Sequence, residues 1–152
     1  MENSSFTTEE ITEGLFRFID NSPTAFHAVQ NAARMLEEAG YKKIVCETAA
    51  GIRAGGRYYA TRNDSALIAF RIPAGEMKGL RIAASHSDSP CFKVKETPEM
   101  DVEGHYVKLN TEGYGGMIMP TWLDRPLSVA GRAILIENGR PVTKLVNIDR
   151  DL

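Results

Sequence analysis

Apolar positions recur at helical spacing in the first forty residues. Ile11, Leu15, Phe16, Phe18 and Ile19 form one stripe, preceded by threonines and glutamates that suit a helix N-terminus. This first helix is expected to stop near Asn21-Ser22. A second stripe, Phe26, Val29, Ala33 and Leu36, predicts another helix, with Ser22 as its cap, Pro23 at its first position and Gly40 at its end. After Gly40 the pattern shortens to that of strands. "RYYATRN" and "SALIAFRIP" flank Asn63-Asp64 and predict a hairpin. "LRIAAS", Leu80 to Ser85, is a nearly continuous apolar run, which predicts a strand buried on both faces.

The texture changes at Pro90. "CFKVKETP", "HYVKLNTEGYGG" and "PLSVAGRAILIENGRPVTKLVNID" read as strands, the last a hairpin around Glu137-Asn138-Gly139-Arg140. Two helices followed by a buried strand indicate an α/β layered domain. The fold class is therefore α/β: a partial layered domain over residues 1–90, then a β-rich part over 91–152. Only one strand reads as a central parallel one, and the sequence ends at "NIDRDL", straight after a strand. The expectation is a portion of a longer protein.

Composition narrows the class. The 152 residues are 43% hydrophobic and 25% charged, as in a globular chain able to build a core. A formal net charge of -2 offers no basic field for nucleic acid or an anionic membrane. No apolar run approaches the ~20 residues of a membrane span, and "MENSSFTTEE" lacks the features of a signal peptide. Cys46 and Cys91 form no motif, so a reduced, cytoplasmic protein is a simpler reading than a disulfide between them.

The candidate chemistry lies where "LRIAAS" runs into Ser85-His86-Ser87-Asp88-Ser89-Pro90. Ligand sites in α/β sheets gather at strand C-termini. Residues two apart on extended chain face the same side. A carboxylate beside a metal-bound imidazole accepts its second N–H, which fixes the tautomer and strengthens the other nitrogen as a ligand. His86 and Asp88 thus suit one corner of a metal site. On the triplet alone, a hydrogen-bonded loop histidine is the commoner outcome. Packing suits His27, beside Phe26, better than ligation, and His105 reads as an exposed strand residue. Cys91 reads as a small buried residue. A hydrolytic zinc site needs three protein ligands and an open position. The acids Glu96, Glu99, Asp101 and Glu103 read as a solvated loop or edge and do not complete one.

Three stretches, in order, resemble the aspartyl aminopeptidase family of metallo-aminopeptidases: "NSPTAFHAVQNAARMLEEAGY", "ASHSDSPCFKVK" and "YGGMIMPTWLDRPLSVAGRAIL". The resemblance runs from about Thr7 to Asp149 and covers the family's N-terminal portion. It implies a cytosolic enzyme that removes N-terminal Asp or Glu from peptides with two divalent ions, zinc first, cobalt or manganese as alternatives. It implies His86 as a metal ligand and Asp88 as the catalytic residue that orients it. It places residues 1–90 in the metallopeptidase domain and 91–152, with Trp122, Asp124 and Arg125, at the start of an inserted β-rich domain that mediates homo-oligomer contacts. The family's remaining carboxylate and histidine ligands have no counterpart in this sequence. A second reading follows: a catalytically incomplete chain that serves as a self-association or assembly module, its open sheet edges pairing readily.

Overall fold

The computed structural model describes residues 6–45, 48 and 51–150, so Cys46 lies outside the described residues. The chain divides into two compact units. One comprises the chain up to Ser87 together with Val129–Asp149, and the other holds Asp88–Ser128. The sequence texture changes at Pro90; the compact units change between Ser87 and Asp88, and the last hairpin groups with the first unit.

In the first unit, helix α1 (Thr8–Asp20) starts at a capping box. Thr7 N–H donates to Glu10 Oε2 at 2.8 Å, and Glu10 N–H donates to Thr7 Oγ1 at 3.2 Å, so two otherwise orphaned donors are satisfied reciprocally. Helix α2 (Ala25–Glu38) starts two residues later than the sequence suggests. Its cap is Thr24, which has an extended backbone and whose hydroxyl accepts the His27 N–H. Ser22 Oγ instead accepts from Asn31 Nδ2 at 3.1 Å, and Pro23 precedes the cap. Gly40 follows α2 at φ +81°, a conformation that costs glycine nothing.

Strand β1 (Lys42–Lys43) pairs parallel with β2 (Arg57–Arg62), and β2 pairs antiparallel with β3 (Ala66–Arg71). Asn63 and Asp64, the first two of the three turn residues, both sit at φ +53°, a left-handed conformation that Asn and Asp tolerate. Being central, β2 is buried on both faces: Tyr58, Tyr59 and Ala60 form the core with Val29 of α2. Tyr59 donates its hydroxyl to Glu37, and Arg57 Nη1 donates to Ala39 O at 3.1 Å. These bonds tie the strand to the end of α2. Tyr58 packs on Phe70 with ring centroids 5.7 Å apart.

The segment Leu80–Ser85 departs from expectation. It forms no strand, and Leu80 and Ile82 are 77% and 80% exposed. Its apolar pattern suits a strand flanked on both sides, and no described strand pairs with it.

The unit is completed by β6 (Ala130–Glu137) and β7 (Arg140–Asn147), the expected hairpin, with Asn138 and Gly139 at φ +51° and +75°. Arg132 of β6 anchors it. Its guanidinium lies 4.2 Å from the Phe26 ring centroid, and its Nη1 donates to Asn63 O at 3.0 Å.

The second unit is the hairpin of β4 (Cys91–Val102) and β5 (Tyr106–Tyr114). Its register slips between Val94 and Glu99, where Pro98 has no N–H for the ladder. Asn110 Nδ2 meets Thr97 O there at 3.1 Å. A short helix, α3 (Pro120–Leu123), sets Trp122 edge-on to Phe92 at 5.7 Å.

Candidate functional site

His86 lies in the first unit and Asp88 in the second, on the irregular chain between β3 and β4. The residue between them is tied down. Ser87 Oγ donates to Ser65 O at 2.9 Å, which fastens the segment beside His86 to the β2–β3 turn. The same turn receives Arg132 through Asn63 O, so it anchors both the His86 segment and the β6–β7 hairpin.

Asp88 stands three residues before β4. Its Oδ2 accepts the Tyr114 hydroxyl at 2.7 Å. The Tyr114 phenol is pushed above its ordinary value, first by that hydrogen bond and then by the negative charge of Asp88. Cys91 opposes Tyr114 in the ladder, and the next residue, Gly115, turns at φ +74° against Pro90. The second half of the His-x-Asp-Ser-Pro stretch and the Tyr-Gly-Gly stretch are thus one local structure. Both stretches are visible in the sequence; the bond through Tyr114 that joins them is not.

The other candidates have local explanations. His27 falls in the first turn of α2, and its Nδ1 lies 2.8 Å from Thr24 Oγ1. Burial lowers its pKa. His105 is exposed in the β4–β5 turn beside Gly104. Glu96, Glu99 and Asp101 are exposed along β4, and Glu103 lies in its turn. Asp124 and Arg125 pair with each other at 2.9 Å on the surface. Among the described residues no group of three or more His, Cys, Asp and Glu side chains gathers as a metal-binding set. Within α2, β2 and the β6–β7 hairpin lies a cleft of about 410 Å³, lined by Phe26, Arg34, Lys43, Tyr59 and Thr143 among others.

A family described as aminopeptidase I zinc metalloprotease (M18) matches residues 18–152. The chain belongs to this family. The sequence is 46% identical over 147 residues to a probable M18 family aminopeptidase 2 of Clostridium acetobutylicum, covering 94% of this chain and 34% of the relative. The chain thus spans about a third of the length of the curated relatives it matches. Among solved structures, yeast aminopeptidase 1 superposes with a TM-score of 0.86 at 27% identity, covering 94% of this chain and 34% of that one. The S. cerevisiae mApe1 dodecamer superposes at 0.84 and 28%, covering 93% and 34%. The mixed α/β architecture is that of M18 aminopeptidases.

Proposed function

We propose that this chain is the opening portion of a cytoplasmic metal-dependent aminopeptidase that prefers N-terminal Asp or Glu. The observation that carries the reading is the M18 match over residues 18–152, which includes His86 and Asp88. An imidazole and a carboxylate are donor types that zinc accepts, and two such groups fall short of the three ligands of a hydrolytic site. The further ligands belong to the part of the relatives that this chain does not span. His86 supplies one metal-binding nitrogen. Asp88 accepts the other N–H of that ring and holds its tautomer. Bound zinc, paired with a second divalent ion, would polarise the scissile carbonyl and lower the pKa of a water. Cobalt or manganese are alternative ions. Residues 1–90 contribute to the catalytic domain, and the β-rich part from 91 opens an inserted oligomerisation domain.

A second reading is supported by the sheets. Both two-stranded hairpins have open edges, which are templates for pairing with another chain. One structural relative is a dodecamer. On this reading the 152 residues alone serve assembly.

The test is an aminopeptidase assay with aspartyl, glutamyl and leucyl substrates, with zinc, cobalt or manganese added. It compares the 152-residue chain, the full-length protein and full-length His86→Ala. Turnover confined to the full-length protein, highest on acidic substrates and lost in His86→Ala, is the expected result. A fully active His86→Ala protein would sink the metal assignment. Sedimentation velocity on the 152-residue chain tests the assembly reading, which fails if the chain is monomeric at every concentration.

A further inference from the structure

The bond between Tyr114 and Asp88 is built by the ladder. Cys91 pairs with Tyr114 in the terminal pair of β4–β5, and the chain before Cys91 returns through Pro90 and Ser89 to Asp88. On the opposite strand the chain leaves Tyr114 through Gly115, whose φ of +74° disfavours any side chain and where a Cβ would stand 3.4 Å from Pro90 Cα. The phenol is therefore located by backbone on both sides. An aspartate carboxylate has a broad terminal torsion. The Tyr114 hydroxyl, 2.7 Å from Oδ2, favours the orientation that keeps this charge-assisted bond. A phenol suits the task because it donates while neutral, and the carboxylate beside it keeps it protonated to higher pH.

We propose that Tyr114 is a positioning residue that holds the Asp88 carboxylate in one orientation through its hydroxyl. The inference rests on the reading of Asp88 as the partner of a metal-bound His86. Partners one step removed from a metal ligand set its orientation and basicity, and losing one costs about 10- to 100-fold in metal affinity or activity. Tyr114 acts one step further out again, on the group that orients the ligand.

The experiment uses the full-length zinc-loaded protein. Tyr114→Phe removes one oxygen and keeps the ring. Its kcat is expected to fall about three- to tenfold, less than the loss of a direct partner of the ligand, with KM changed less than about twofold. Zinc affinity, measured by competition with a chelator, is expected to weaken in the same variant. The double variant Tyr114→Phe/Asp88→Asn should be no worse than Asp88→Asn alone, because the phenol acts only through the carboxylate. Tyr114→His, which restores a donor, should recover part of the loss. Wild-type kcat and zinc affinity in Tyr114→Phe would overturn the inference, as would effects that multiply in the double variant. In both cases loss of activity in His86→Ala and Asp88→Asn would leave the reading of the site standing. If those two variants are fully active, the site reading itself fails, and this inference fails with it.

Discussion

Strand β2 and the stretch Leu80–Ser85 are both six residues long and both read as strands in the sequence, and they differ in what lies beside them. β2 has β1 on one side, β3 on the other and α2 across its face, so Tyr58, Tyr59 and Ala60 are all buried. Its principal partner, β3, follows after a turn of three residues, Asn63 to Ser65. No described strand pairs with Leu80–Ser85, and its two largest apolar side chains, Leu80 and Ile82, face water. Hydrophobic pattern states what a segment is suited for. Whether the segment is buried depends on partners whose distance along the chain the pattern does not report.

The widest gap between the two runs should appear on truncation. Tyr59→Ala removes the most buried large side chain and is expected to cost about 3–5 kcal/mol, as other aromatic-to-alanine core changes do. Urea unfolding followed by far-UV circular dichroism measures it, and a cost below about 1 kcal/mol would mean that β2 is not the core. Gly56→Ala probes the same strand from its end. A Cβ there would stand 2.3 Å from the Tyr58 hydroxyl, whose oxygen also accepts from Arg53 N–H at 2.8 Å. The ring must move, at an expected cost of about 1–3 kcal/mol.

The Tyr59 phenol, pushed up to about 12 by burial and then by its bond to Glu37, adds a pH dependence. Its folded pKa lies above the unfolded value near 10. The unfolded chain releases this proton first, so its contribution is complete below pH 10 and is lost as pH rises toward 12. Tyr59→Phe should flatten that decline in a series of urea midpoints between pH 9 and 12.

The smallest effect is expected in the other run. Ile82→Ala in this chain should change stability by less than about 0.5 kcal/mol, since the side chain is already exposed. In a full-length protein that supplies neighbouring strands, the same change should cost about 2–5 kcal/mol. Equal costs in the two contexts would remove the distinction between the runs.

What was legible in the sequence follows the same division. The threonine cap and glutamates at the start of α1, the helical stripes and the turns at Asn63-Asp64 and Asn138-Gly139 are set by residues within a few positions of one another, and they form where the pattern places them. The cap of α2 moved from Ser22 to Thr24 because the two hydroxyls are chemically alike, and the position of the first free backbone N–H decides between them. For the site, the His-x-Asp triplet was visible because both groups sit in one short stretch. Tyr114 was not, because its link to Asp88 spans 26 residues and exists only through the β4–β5 register.

Arg132 reaches back 69 residues to Asn63, and 106 (132 less 26) to Phe26. Along the chain, the stretch Asp88–Ser128 of the second unit lies between these partners. During synthesis the chain emerges from its N-terminus at about 5–20 residues per second. The β4–β5 hairpin, closed by local pairing, therefore leaves the ribosome complete while α2 and β2 still await the strand that carries their arginine. The order of completion is the reverse of what a simple count along the chain suggests: the later hairpin is whole before the earlier helix and strand have met Arg132.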